Sequence, residues 1–331
     1  MAFVTASLSN SGGRPANEDH FGSLEAAGAG CWVVADGLGG HGGGATASRL
    51  AVEAVQASFR ANPVVNADTL KSHLVAAHAA IVRQQGEPGL VQMRSTIVVL
   101  LANDERAVCG HVGDSRLYQL RNGVVEFQTI DHSVPGALAA GGSIAYDEIR
   151  FHEDRNRVLR SLGNEGEVNP VIVERPLRPG DSFLLCTDGF WEYVTELEME
   201  ADSAKTAAPA DWMRCMASRL LRRAKPGNDN WTAIAVSFRS AVPATERHES
   251  AAPLPIPPLP PPARKAAPPS LTEKLSWIAI VCLTATLLVF LMVAIYPDSV
   301  AVFWKKSAPG TTAPVANPAR PAKRPDARPP V

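Results

Sequence analysis

The run Cys31-Trp32-Val33-Val34-Ala35-Asp36-Gly37-Leu38-Gly39-Gly40-His41-Gly42-Gly43-Gly44 decides how this chain is read. An apolar, β-branched stretch reads as a strand, ends in a carboxylate and breaks at once into glycine. Ala45 to Phe59 then carries a helical pattern, with Ala51, Val52, Val55 and Phe59 on one face. Such a strand delivers one Asp to a corner where glycine permits close backbone approach. The device returns at Phe183-Leu184-Leu185-Cys186-Thr187-Asp188-Gly189. Two strand ends, each finishing in Asp-Gly, predict two carboxylates converging on something cationic.

Upstream, residues 3–8 alternate as a strand, and Ser9 to Gly13 form a polar turn. Arg14-Pro15-Ala16-Asn17-Glu18-Asp19-His20-Phe21 follows, a loop with a fixed cation, two carboxylates and an amide. Downstream, a helix is predicted over 67–85 with Leu70, Leu74, Ala77 and Ile81 inward. His73 and His78 miss the i, i+4 spacing of paired ligands and read as ordinary helix histidines. Ser95 to Ala102 and Ala107 to Val112 form a hairpin that runs into Gly113-Asp114-Ser115-Arg116. Asp131-His132-Ser133 opens a polar, glycine-containing segment to about Asn156, read as a mobile flap over a site. Strands resume near 168–174 and 181–187, a helix covers 211–224, and Asn228-Asp229-Asn230 precedes a last strand, Trp231 to Phe238. Hairpin strands with a few long helices predict sheets packed together and helices outside.

The 331 residues carry a net charge of −1, so no broad basic face points to nucleic acid. Five cysteines without a CxxC pair read as buried thiols in a reducing compartment. The N-terminus lacks the basic and apolar regions of a secretory signal, so the first domain is expected to be cytoplasmic. Four segments follow: a catalytic domain over 1–240, a proline-rich linker over 241–275, an uncharged apolar span over 276–296, and a disordered Pro/Ala/basic tail over 297–331. The span is long enough for the roughly 30 Å bilayer core and predicts a single-pass helix in the cytoplasmic membrane.

The carboxylates at strand ends are Asp36, Asp114, Asp188 and Asp229, with Glu18 and Asp19 in the early loop. Gathered in one place they repel each other unless cations neutralise them, and all-oxygen ligation selects Mg²⁺ or Mn²⁺ over zinc. Paired ions bring the pKa of a bound water from about 15.7 towards neutrality and so make a nucleophile. Arg14 supplies a bidentate cation suited to phosphate. The sum is phosphate-ester hydrolysis.

Arg14-x-x-Asn17-Glu18-Asp19, Asp36-Gly37-Leu38-Gly39-Gly40-His41, Gly113-Asp114-Ser115-Arg116, Asp131-His132-Ser133, Cys186-Thr187-Asp188-Gly189 and Asp229-Asn230-x-Thr232 stand in the order of a known family. Over about residues 3–238 the chain resembles the bacterial branch of the metal-dependent serine/threonine protein phosphatases of the 2C type. The resemblance implies an α+β fold, a central β-sandwich of two sheets flanked by helices on both faces (four-layer αββα). It implies Mn²⁺ or Mg²⁺, two per domain and a third in many bacterial members. Asp36 would bridge two ions, with the Gly37 carbonyl on one, and Asp188 and Asp229 would hold the other. Glu18 would contact the first through water with Asp19 supporting it, Asp114 and Asp188 would hold the third, and Arg14 would hold the substrate phosphate. Phosphoproteins, and a cognate Ser/Thr kinase that makes them, are the implied partners. Leu38 stands where many eukaryotic relatives place a histidine, so the leaving-group acid is left unassigned; His41 lies three residues on.

Two rivals belong to other classes. Gly37-x-Gly39-x-x-Gly42 also satisfies a dinucleotide fingerprint, which would make the chain a nicotinamide-dependent oxidoreductase. Asp36 beside a pyrophosphate, and a second helix where a parallel strand is needed, count against it. The other rival is an inactive phosphatase fold used as a membrane-tethered binding module; the full set of carboxylates counts against that.

Overall fold

Ala29–Ala35, the strand that ends at Asp36, has all seven residues buried. The run is apolar without alternation because both of its faces are covered. Cys31, Val33 and Ala35 point to one apolar cluster, while Trp32 and Val34 point to another. The computed structural model describes residues 2–39 and 43–239. His41, the linker, the apolar span 276–296 and the tail lie outside the described residues. No helix among the described residues is long and apolar enough to cross a membrane.

In chain order the strands are β1 (Ala2–Asn10), β2 (His20–Ala26), β3 (Ala29–Ala35), β4 (Gly37–Leu38), β5 (Arg94–Ser95) and β6 (Ile97–Ala102). They continue as β7 (Arg106–Val112), β8 (Arg116–Arg121), β9 (Val124–Gln128), β10 (Val171–Pro176), β11 (Ser182–Cys186) and β12 (Trp231–Arg239). The helices are α1 (Gly43–Ala61), α2 (Ala67–Gln84), α3 (Val134–Ala140), α4 (Asp188–Trp191), α5 (Glu196–Ser203) and α6 (Pro209–Arg223).

Two five-stranded sheets form, ordered β1-β12-β11-β8-β9 and β10-β7-β6-β3-β2, and β4 pairs with β5 alone. Every pairing is antiparallel. Trp32, Val34, Val98 and Leu100 of one sheet meet Phe183, Leu185, Ile234 and Phe238 of the other. The opposite face of the first sheet packs on Met199, Met213, Met216 and Leu220 of α5 and α6. The opposite face of the second packs on α1 and α2 through Val55, Phe59, Leu70 and Leu74. The expected α+β arrangement, sheets together and helices outside, is what the chain adopts. Antiparallel pairing throughout leaves no parallel βαβ unit, so the dinucleotide-binding reading is wrong.

α2 starts where Asn66 accepts a hydrogen bond from the Thr69 N–H at 2.8 Å. Its inward residues lie over Gly110 of β7, where a Cβ would come within 2.8 Å of Leu70. His73 is buried against the Ser58 hydroxyl, and His78 accepts from the Gly163 N–H. Both are structural, as expected. Cys31, Cys109 and Cys186 are buried and free, and Cys215 is free and partly exposed.

The segment after Asp131 is a correction. It was expected to be a mobile flap with few anchors, yet it contains α3 and a 3-10 turn, Tyr146–Phe151. Asp131 is locked to Arg116, Tyr146 donates to the Thr129 carbonyl at 2.8 Å, and Ile149 is fully buried. Arg150 donates to the Trp191 and Val194 carbonyls and pairs with Glu196. Most of these anchors are polar, and an apolar-periodicity reading passes over them. α4 and α5 were likewise not expected from the pattern.

Phe238 stacks edge-on against Phe3 and Phe183 at 5.1 and 5.5 Å, between the sheets. Phe238→Ala should cost about 3–5 kcal/mol of stability. Urea denaturation of the full chain reads the loss; an unchanged midpoint would mean that the inter-sheet layer is not the core.

Candidate metal centre

The antiparallel ladders bring the acidic residues to one end of the sandwich. His20 pairs with Ala35, so the loop ending in Glu18 and Asp19 adjoins Asp36. Asn10 pairs with Trp231, so the same loop starts beside Asp229. Cys186 pairs with Arg116; carrying that register two residues on sets Asp188 opposite Asp114. No local motif could assemble these residues, because they come from both sheets and from five chain segments.

The backbone around them is fixed by short polar side chains. The Asp36 N–H donates to Thr96 Oγ1 at 3.1 Å, and its carbonyl accepts from the Ser95 hydroxyl at 2.8 Å. Thr96 Oγ1 also bonds Ser115 Oγ at 2.7 Å, tying Asp36 to the Asp114 turn. Gly113 enters that turn at φ +108°, a conformation that favours glycine. Asn230 Oδ1 accepts from the Glu18 N–H at 2.8 Å, and its amide donates to the Ser11 and Ala16 carbonyls. A Cβ on Gly44 would fall 2.7 Å from the Gly37 carbonyl oxygen and 2.9 Å from the Glu18 carboxyl carbon. Glycine there lets the Gly37 carbonyl and the Glu18 carboxylate share one corner.

Each predicted residue except one faces the others. Asp36 is pushed well above the usual carboxylate range by burial, then by Asp19, Asp188, Asp114 and Asp229. Asp188 is raised by burial, then by Asp114, Glu192, Asp229 and Asp19. Asp36 and Asp188 keep some residue surface, yet burial is the largest contribution to both. Asp19 is pushed up to about 7, by burial above all, although Thr187 donates to its Oδ2 at 2.9 Å. Asp114 also rises to about 7, through burial and then Asp131. Burial raises Glu18 too, opposed by the Ala45 N–H at the start of α1. The exception is Arg14, a group at the rim: its guanidinium lies 3.0 Å from Asp229 Oδ2, both side chains about half exposed, and its charge opposes the rise of Glu18.

The donor set fits hard divalent cations: all oxygen, crowded, and short of positive charge. Asp19 Oδ1 is buried and has no hydrogen-bond partner. No three acidic or histidine side chains among the described residues converge at ligand distance, so the carboxylates are gathered but not closed on a point. Glu192 was missed by the sequence reading. It faces Asp188, Asp114 and Asp229 and is paired with Arg155 at 2.8 Å. Its signal was available, since it stands one helical turn after Asp188.

A raised carboxyl keeps its proton in the folded state after the unfolded chain has released it. Asp114 therefore stabilises the metal-free fold below about pH 4, and loses that contribution as pH rises through about 7. Half-buried His132, lowered to about 4, acts oppositely over part of this window. A difference between proteins isolates the carboxylate. In chelator at pH 7.5, Asp114→Asn should melt a few degrees above wild type, and the gap should narrow as pH falls through about 7 and close only below about pH 4. Saturating Mn²⁺ should cancel the advantage. Equal melting at pH 7.5 without metal would show that Asp114 carries no such repulsion.

Comparison with known proteins agrees with this geometry. Residues 10–225 match the protein phosphatase 2C family. The chain is 33% identical over 174 residues to serine/threonine phosphatase stp of Listeria innocua, covering 51% of this chain and 69% of that one. The crystal structure of the Mycobacterium tuberculosis serine/threonine phosphatase PstP/Ppp aligns at TM-score 0.64 and 30% identity, over 72% of this chain and 100% of that one. A catalytic-domain structure of PstP with two manganese ions aligns at TM-score 0.62 and 29% identity, over 72% and 99%. With these matches and an acidic centre built from both sheets, the chain belongs to the protein phosphatase 2C family of metal-dependent serine/threonine phosphatases.

Proposed function

We propose that this chain hydrolyses phosphoserine and phosphothreonine in proteins, using Mn²⁺ or Mg²⁺ held by its acidic centre. The observation that carries the reading is the gathering of Asp19, Asp36, Asp114, Asp188 and Asp229 at one end of the sandwich, with Asp19 Oδ1 buried and without a hydrogen-bond partner. When bound, the ions supply an activated water and neutralise charge on the phosphoryl oxygens. Asp36 and the Gly37 carbonyl would hold them from the β3 side, and Asp188 and Asp229 from the β11–β12 side, with Glu18 beside the first. Asp19, which accepts from Thr187, would support Asp36. Asp114 and Asp188 would hold a third ion.

Arg14 is half exposed at the rim and paired with Asp229. It can turn part of its fork to an incoming phosphate, so it joins phosphate recognition to the carboxylate that holds a cation. Asp36→Asn should lower turnover of a phosphopeptide by on the order of 100-fold or more, with the fold intact, because removing a ligand costs at least what removing its support does. Near-normal turnover at saturating Mn²⁺ in a folded variant would falsify the two-metal mechanism, whereas no turnover by the wild-type chain with any metal would favour a binding module.

The chain's apolar span 276–296 serves as a membrane anchor in the same proposal, with residues 1–274 on the cytoplasmic side opposing a Ser/Thr kinase. Support comes from its 21 uncharged residues, and from the four free cysteines of the domain, which suit a reducing compartment. Within about 20 residues of the span, Arg264, Lys265 and Lys274 against Lys305 and Lys306 lean slightly the same way, whereas counting Arg320, Lys323, Arg324 and Arg328 further out reverses the lean. A cysteine at Ala316, in a chain lacking its native cysteines, should react with an impermeant thiol reagent before the inner membrane is lysed. Labelling only after lysis would reverse the topology.

A further inference from the structure

Beyond the last bonded pair of the β8–β11 ladder, Cys186 and Arg116, the chain places Asp188 across from Asp114. One buried hydrogen bond spans that opening: Trp191 Nε1 donates to the Asp114 carbonyl at 3.0 Å. Trp191 closes the single helical turn that begins at Asp188, so its backbone and that of Asp188 move together. We propose that Trp191 is a positioning residue, whose indole N–H sets the separation of Asp114 and Asp188 for a divalent cation between them. The inference rests on the metal-dependent reading above.

The ring is not free to drift. The Arg116 guanidinium carbon lies 3.5 Å from the ring centroid, flat cation over aromatic face. Arg116 is itself immobilised by two 2.8 Å bonds to Asp131, with the Tyr118 hydroxyl at 3.2 Å and Glu196 at 3.4 Å. Both side chains of the Arg116–Asp131 pair are 1% exposed. The Trp191 backbone is held as well, because Arg150 donates to its carbonyl. Asp114 is gripped from the other side, where the His132 N–H donates to the Gly113 carbonyl at 2.9 Å. The acceptor is what sets Trp191 apart: Trp32 and Trp212 also donate from their indoles, to Thr5 Oγ1 and the Met199 carbonyl, but Trp191 alone of the three donates to the backbone of one of the gathered carboxylates.

Trp191→Phe keeps an aromatic ring beneath Arg116 and removes the N–H. In the full chain, Mn²⁺ binding followed by calorimetry should show the class of sites that Asp114→Asn removes loosened about five- to tenfold, the range expected for one lost hydrogen bond. The sites that survive Asp114→Asn should be unchanged, and in that background Trp191→Phe should change nothing further. An unaltered isotherm in folded protein, or equal weakening of every class, would overturn the role. If Trp191→Phe fails to fold, the wild-type chain labelled with 5-fluorotryptophan decides. The Trp191 fluorine signal should shift with the Mg²⁺ step that Asp114→Asn abolishes, and silence there overturns the proposal. Wild type that binds no Mn²⁺ at all would instead remove the metal centre itself, and this inference with it.

Discussion

Repulsion among carboxylates is the constraint on which this domain turns. A lone buried Asp would be neutralised by its surroundings, but here Asp36 and Asp188 are each raised by four other carboxylates as well as by burial. Local relief is slight: Thr187 donates to Asp19, and Arg14 at the rim acts on Asp229 and Glu18. The two sheets act as the clamp. Their ladders are fully paired and filled with apolar side chains, so the loops at one end are kept together against their own electrostatics.

The polar groups behind the centre divide into two kinds. Short hydroxyl and amide side chains, Ser95, Thr96, Thr187 and Asn230, satisfy the backbone where the ladders stop. They do for the loops what sheet pairing does for the strands, and Thr187 in addition donates to the Asp19 carboxylate. The second kind is the buried ionic group of Arg116, Asp131, Glu196 and Arg150. Burying such charges is costly unless each is fully bonded, and a hydrophobic replacement could be as stable. Its value is geometric: it joins the segment after Asp131 to the turn that carries Asp114 and to α4, which carries Asp188.

Stability and activity therefore pull apart at this end of the molecule. The metal-free centre costs the fold some of what the three apolar layers contribute, and a cation returns it by binding the native state alone. Removing a carboxylate relieves the fold and removes the chemistry together. Glu192 belongs to the same balance, because its pairing with Arg155 sets one more negative charge at the margin under local control.

The sequence by itself determined the strand ends and their carboxylates. The Cys31–Asp36 run, the Asp-Gly at 188–189 and the helix faces of α1 and α2 follow from periodicity and glycine placement, which are local properties. It also determined the oxygen-only chemistry, since the residue types at those ends exclude a soft-metal site. Tertiary structure alone decided three things. Register put Asp188 opposite Asp114, and a shift of one residue would have turned it away. Ion pairs and bonds from Asp131, Tyr146 and Arg150 fastened a segment whose composition reads as loose, because such contacts join residues far apart in the chain and leave no period. Trp191, one apolar residue among many in the sequence, became the link between two carboxylates. Only the fold sets its N–H against the Asp114 carbonyl.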